Sequence, residues 1–188
     1  MLTLDDFLET GALLTGHFRL SSGLHSDRYL QCARLLMWPQ RAESAGRELA
    51  AKLAEFSPEA VVSPALGGIV VGHEVARALG VRALFAERKD GVFAFRRGFA
   101  LGPGERVAVV EDVFTTGGST REVCATVDAA GASVVVVGSL VDRGLPPDAL
   151  PVPARTLLSV QVPSWPAEEC PLCADGEPLE VPGSRRRE

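Results

Sequence analysis

Residues 107–120 read VAVVEDVFTTGGST. Four apolar residues, Val107 to Val110, run directly into Glu111 and Asp112, and six small polar or glycine residues, Thr115 to Thr120, follow Val113 and Phe114. An unbroken apolar run of this length is a strand buried on both faces. A TTGGST segment after such a strand opens a helix. Its glycines let backbone N–H groups turn toward one point, the helix start adds partial positive charge, and the hydroxyls add donors. The segment is a cup for one phosphate group. It is neither a Walker loop, which needs the GxxxxGK[ST] lysine, nor a GxGxxG turn. Carboxylates repel phosphate but accept hydrogen bonds from neutral hydroxyls one sugar length away. A ribose 5-phosphate meets both demands, with its phosphate in the cup and its 2′ and 3′ hydroxyls on Glu111 and Asp112. The plainer reading is a strand, a polar turn and a capped helix with no ligand; the joint presence of apolar strand, acid pair and cup argues against it.

The same alternation extends outward. TLDDFLETGALL reads as an opening amphipathic helix with Thr3 as N-cap, and GHFRLSSGLHSDRYLQ as short strands about a Gly/Ser turn. Residues 39–56 carry Leu49, Leu53 and Phe56 on one helical face. AVVS (60–63), VRALFAE (81–87), VAVVED (107–112) and VVVVGSLVD (134–142) read as buried strands, and RTLLSVQV (155–162) as a further one. Helices are expected over IVVGHEVARALG and from about Gly118 to Ala130, the latter with Val123, Val127 and Ala130 inward. KDGVFAFRRGFALGPGE, with glycine turns around an apolar–polar stretch, reads as a mobile hairpin with few anchors, carrying Arg96 and Arg97. Strands alternating with helices imply an α/β domain with a mostly parallel sheet covered on both faces. Ligands on such sheets bind beyond the carboxyl ends of the strands. SPALGG, VEDVFTTGGST and VDRG all fall there. One domain is expected over 1–188, with a hood segment at 10–35, a core at 60–162 and a tail at 163–188.

Composition narrows the partners. The chain has 188 residues, 46% hydrophobic, with a formal net charge of −5. That balance disfavours general nucleic-acid binding. No apolar run reaches the roughly 18 residues of a membrane span, and the acidic start is unlike a signal peptide, so a cytoplasmic protein is expected. Cys32 and Cys124 read as small buried apolar residues. Cys170 and Cys173, in CPLC, have half of a zinc site's spacing, but a second CxxC or a His pair is missing. A structural tail element is the expectation, with metal or disulfide chemistry as alternatives. His17, His25 and His73 read as structural, because nothing in the sequence sets a partner beside them. The closing Arg185–Arg187 run reads as a solvated tail.

VVEDVFTTGGST resembles the ribose-phosphate signature of the type I phosphoribosyltransferases. GHFRLSSGLHSDRYL and VDRG resemble segments of the orotate phosphoribosyltransferases within that group. The resemblance implies the following roles. Glu111, Asp112, Val113, Phe114, Thr115, Thr116, Gly117, Gly118, Ser119 and Thr120 would hold the ribose phosphate, with Thr115 also touching orotate. Arg143 would meet the orotate carboxylate. Ala65, Leu66 and Gly67 would form the pyrophosphate loop. Arg88 and Lys89 would reach the neighbouring subunit's diphosphate in a homodimer with shared sites. Tyr29 would lie on the base side, and Arg96 and Arg97 would supply cationic charge. Departures from the family pattern are Ser21 in place of a basic residue, Tyr29-Leu30 in place of an aromatic pair, Gly67 in place of a lysine, and DGVFAFRRGF in place of the usual mobile loop. The implied reaction joins orotate to phosphoribosyl diphosphate with Mg²⁺ and no protein metal ligands. Rival readings are a purine phosphoribosyltransferase, a non-catalytic sensor of phosphoribosyl diphosphate, and a dinucleotide-binding domain.

Overall fold

A computed structural model describes residues 2–20 and 22–182; Ser21 and the Arg185–Arg187 run lie outside the described residues. The chain forms two compact units, one spanning Leu36–Val160 with the extreme N-terminus, the other combining Leu4–Leu35 with the segment from Gln161 onward.

The larger unit is built on six strands: β3 (Ala60–Pro64), β4 (Arg82–Lys89), β5 (Val92–Phe95), β6 (Arg106–Phe114), β7 (Ser133–Asp142) and β8 (Ala154–Ser159), in the spatial order β5-β4-β3-β6-β7-β8. All neighbours are parallel except the β4–β5 edge pair. The fully buried β3 explains its apolar sequence AVVSP. Alternation along it separates the helices. Ala60 and Val62 join Val123 and Val127 of α5 (Gly118–Ala129) in one core, whereas Val61 and Ser63 face Gly72 of α4 (Gly68–Leu79). α3 (Pro39–Leu53) packs beside α4, with Leu49 and Leu53 against Gly138 of β7.

The smaller unit contains α1 (Leu4–Glu9), the antiparallel hairpin β1 (Leu13–Arg19) and β2 (His25–Leu30), and a one-turn helix, Pro171–Ala174. A further turn, α2 (Ala33–Leu36), leads out of it. The expected opening helix is shorter than its apolar periodicity suggested. It stops where Thr10 donates its hydroxyl to the Asp6 carbonyl (2.7 Å) and Gly11 turns left-handed (φ 65°), so Leu13 and Leu14 belong to β1.

Two other expectations are corrected. Ala130 is exposed, and Cys124 takes its place in the core beside Val123 and Val127. The expected hairpin forms at the sheet's edge, where Asp90 and Gly91, both at positive φ, turn β4 back into β5, but it has more anchors than its sequence suggested. Phe93 is buried there, and Phe95, Phe99 and Leu101 pack on the same core.

Gly46 marks the closest helix approach. A Cβ there would stand 2.4 Å from Glu74 Cβ and 2.8 Å from its backbone carbon. Alanine is the better helix former by about 1 kcal/mol, yet Gly46→Ala is expected to destabilise the protein by about 1–3 kcal/mol through overpacking. Thermal unfolding reads the sign: a lower Tm is expected, and a higher one would mean that α3 and α4 yield at this contact.

Candidate active site

The carboxyl ends of β3, β6 and β7 bring three sequence segments together. From β3 the chain passes through Ala65 and Leu66, joined by a cis peptide, into Gly67 and α4. Ala65 N–H donates to the Ala86 carbonyl of β4 (2.9 Å), and Gly68 lies so close to β6 that a Cβ would be 2.9 Å from the Val110 carbonyl. Gly67 faces Asp112: a Cβ there would be 2.9–3.0 Å from the carboxylate atoms. A side chain at 67 would press on the Asp112 carboxylate, which would have to shift.

Adjacent acids on a strand point to opposite faces. Glu111 meets Thr120 of α5, whose hydroxyl donates to its Oε2, and Asp112 meets Gly67 at the start of α4. Burial pushes the Glu111 carboxyl up to about 7; the Thr120 hydrogen bond opposes that shift, and repulsion from Asp112 is the least of the three causes. Burial also raises Asp112, against the pull of the Val113 N–H, which donates to its Oδ1 (3.0 Å). Desolvation, and not the pair's mutual repulsion, sets these protonation states. Both acids are held where a hydroxyl-rich ligand can replace water.

The cup follows. Gly117 is left-handed (φ 74°), and a Cβ on it would stand 3.0 Å from both Leu145 and Leu150. Thr115 and Thr116 are exposed, Gly118 and Ser119 half-buried, and Thr120 buried. Arg121, which sequence reading passed over, clamps this turn: its Nη1 donates to the Thr116 carbonyl (3.0 Å) and the Ala149 carbonyl (2.8 Å). Nothing in the sequence separates Arg121 from an ordinary solvent-facing helix arginine.

β7 sets Arg143 beside the cup, its N–H donating to the Phe114 carbonyl (2.9 Å). The Asp142 carboxylate accepts from Gly144 N–H (2.8 Å) and Leu145 N–H (2.7 Å). VDRG is thus a turn whose aspartate fixes Leu145, and Leu145 in turn closes over Gly117.

No family model matches this chain. It is 54% identical to the orotate phosphoribosyltransferase of Pelotomaculum thermopropionicum, covering 96% of this chain and 95% of the relative. It is 52% identical to that of Thermotoga maritima, covering 94% and 95%. The crystal structure of orotate phosphoribosyltransferase from Aeropyrum pernix superposes with a TM-score of 0.68 at 26% identity, covering 83% of this chain and 92% of that one. The chain belongs to the orotate phosphoribosyltransferase family.

Family membership leaves several residues to be placed by geometry. Arg88 faces α5: it bonds both Glu122 oxygens (2.7 and 3.1 Å) and the Gly91 carbonyl, and lies 4.2 Å over the Phe93 ring. Lys89, the next residue, points to the other face by strand alternation and is exposed. Arg97 (2.6 Å) and Arg96 (3.9 Å) pair with Glu87, holding the segment after β5 against β4. Tyr29 belongs to the smaller unit, its ring 5.9 Å from that of Phe18.

The raised Glu111 carboxyl has a stability consequence of definite sign. Because its folded pKa, about 7, exceeds its unfolded value, the neutral form stabilises the ligand-free protein at low pH, and that contribution is lost as pH rises from 4.5 through 7. The stability difference between wild type and Glu111→Gln should therefore shift against the wild type between pH 5 and pH 8. Denaturant unfolding of both proteins across that range measures it; parallel pH profiles would show that Glu111 is ionised throughout.

Proposed function

We propose that this chain transfers the 5-phosphoribosyl group of phosphoribosyl diphosphate to orotate, giving orotidine 5′-monophosphate and diphosphate in pyrimidine nucleotide synthesis. The observation that carries the reading is the meeting of acid pair, phosphate cup and Arg143 at one end of the sheet, in a chain about half identical to orotate phosphoribosyltransferases over nearly its whole length.

In this mechanism the Thr115–Thr120 backbone and hydroxyls hold the 5-phosphate, and Glu111 and Asp112 accept hydrogen bonds from the ribose hydroxyls. Orotate N1 attacks the anomeric carbon, the bond from that carbon to diphosphate oxygen breaks, and the N1 proton is released. Positive charge develops on the ribose ring as in glycoside chemistry, and the nearby carboxylates favour it. Arg143 orients orotate by presenting a planar fork to its carboxylate. Leu66 and Gly67 offer their backbone N–H groups to the departing diphosphate, and the close approach of Gly67 to Asp112 sets the leaving-group site beside the ribose site.

Mg²⁺ takes hard oxygen ligands. Glu111 and Asp112 diverge to opposite faces and do not form a shared carboxylate site. Among the described residues, the one grouping of three or more close His, Cys, Asp or Glu ligands is of nitrogen and sulfur. Bound through the oxygens of phosphoribosyl diphosphate, Mg²⁺ would neutralise charge on the leaving group.

The active form is a homodimer with shared sites. Arg88 is occupied within its own chain, so Lys89 is the cation offered to the neighbour. When Lys89→Ala and Asp112→Asn proteins are mixed under conditions of proven subunit exchange, activity should reappear in heterodimers; exchange without recovery would mean that each site is self-contained.

Two variants test the chemistry. Asp112→Asn should lose roughly tenfold or more in kcat/KM for phosphoribosyl diphosphate with the fold intact. Arg143→Ala should lose ~10²–10⁴-fold for orotate, since each charge-assisted hydrogen bond contributes about 1.5–3 kcal/mol, while phosphoribosyl diphosphate affinity measured alone stays nearly unchanged. Equal losses for both substrates would make Arg143 a scaffold residue.

A further inference from the structure

The smaller unit holds a second cluster with no part in the reaction above. His17, His25, Cys170 and Cys173 each present one ligand atom, and all four atoms lie within 4.8 Å of one another. His17 Nε2 is 3.0 Å from His25 Nδ1, 3.5 Å from Cys170 Sγ and 3.6 Å from Cys173 Sγ; Cys173 Sγ is 3.3 Å from His25 Nδ1. Both histidines and Cys170 are buried, and Cys173 is at the surface. We propose that these four side chains bind one zinc ion, which staples the C-terminal segment to the β1–β2 hairpin.

The spacing is that of a tetrahedron. Zinc–nitrogen bonds of about 2.0–2.1 Å and zinc–sulfur bonds of about 2.3 Å put neighbouring ligands about 3.3 Å (N to N) and about 3.5 Å (N to S) apart. The four separations above fall within a few tenths of an ångström of these values, and the remaining two are within 4.8 Å. The protonation pattern agrees. His17 Nδ1 is 2.9 Å from the Glu177 carbonyl, which can only accept, so in the neutral ring Nδ1 carries the proton and Nε2 turns a lone pair to the cluster. That lone pair faces a second imidazole nitrogen and two thiols. With both thiols ionised and both rings neutral, a divalent ion makes the buried group electrically neutral. Two thiolates and two imidazoles suit zinc, whereas magnesium takes oxygen.

The fold builds the cluster deliberately. β1 pairs with β2 in one register from Leu13 to Thr15 and in a register one residue out from Phe18 to Arg19. A one-residue bulge at Gly16–His17 causes the slip. In the unslipped register His25 would lie opposite Phe18, and His17 would face away from it. The slip sets His25 opposite Arg19, so His17 and His25 share a face as diagonal neighbours. The tail then crosses that face. Trp165 exchanges both backbone hydrogen bonds with His25 (2.8 and 2.9 Å), and Glu180 bridges the other strand through the His17 carbonyl and Arg19 N–H. Between these anchors the helical turn Pro171–Ala174 carries Cys173, with Cys170 at its N-cap. Sequence reading had found no second ligand pair because the histidines are seven residues apart in the intervening sequence and meet only through the bulge. Gly16 within a strand was the available signal. The unit's buried apolar side chains are Phe7, Ala12, Leu13, Phe18, Cys32 and Leu35 with Cys170. A core this small is of the kind that a metal supplements.

The test uses the full chain, purified under reducing conditions without chelator. Elemental analysis should find about one zinc per chain, and Cys173→Ser and His17→Ala should each hold roughly tenfold less zinc, while His73→Ala, whose side chain is exposed outside the cluster, keeps it. Should a variant misfold, the wild type decides alone. Stripped protein given Co²⁺ should show the intense visible bands of a tetrahedral site and a thiolate charge-transfer band, and hydrogen exchange in residues 163–182 should slow on adding Zn²⁺. A wild type that takes up neither ion, an octahedral cobalt spectrum, or a Cys170–Cys173 disulfide in the protein as purified would overturn the proposal.

Discussion

The turn from β6 into α5 is the constraint on which the ligand end of the larger unit depends. Gly117 must be left-handed, and the space where its side chain would be is filled by Leu145 and Leu150. Leu145 is held there by Asp142, and Ala149, next to Leu150, is held by Arg121, which also grips Thr116. The cup and the turn bearing Arg143 are consequently one packed object. The cup and Arg143 are thus fixed relative to each other by apolar contacts and backbone hydrogen bonds, which lose little free energy to solvent screening.

The acid pair follows from the same geometry. On a strand, adjacent residues diverge, so each carboxylate is buried beside its own neighbour, Thr120 for one and Gly67 for the other. The cost of that burial appears as raised carboxyl pKa values and not as mutual repulsion. In the function proposed above, a bound ribose would donate its hydroxyls to these two carboxylates. Buried carboxyls with raised pKa values of this kind are common at catalytic positions.

The parallel core was legible because its signals are local. AVVS, VAVV and VVVV are apolar runs bounded by glycine or proline turns, and TTGGST has its strand before it and its helix after it. What failed to show was non-local. Leu13 and Leu14 continue the period of α1, and only the left-handed Gly11 reassigns them to a strand. The β5 segment looked poorly anchored because its glycines are visible in sequence, whereas the packing of Phe93, Phe95 and Phe99 on the core is not. The pairing of Arg88 with Glu122, 34 residues away, has no trace in the sequence. His17 and His25 read as isolated because one bulged residue decides which face they share. Pairings between distant segments carry no periodicity, so the chain's own pattern does not announce them.

The central claim is that Arg143 and the cup make this an enzyme for a carboxylate-bearing pyrimidine. Release of diphosphate from phosphoribosyl diphosphate, followed in parallel with orotate, uracil, adenine, guanine and xanthine at one Mg²⁺ concentration, tests it most directly. The account predicts rapid release with orotate and none above background with uracil, which differs from orotate by the carboxylate alone. Release driven by a purine, with orotate inert, would contradict it.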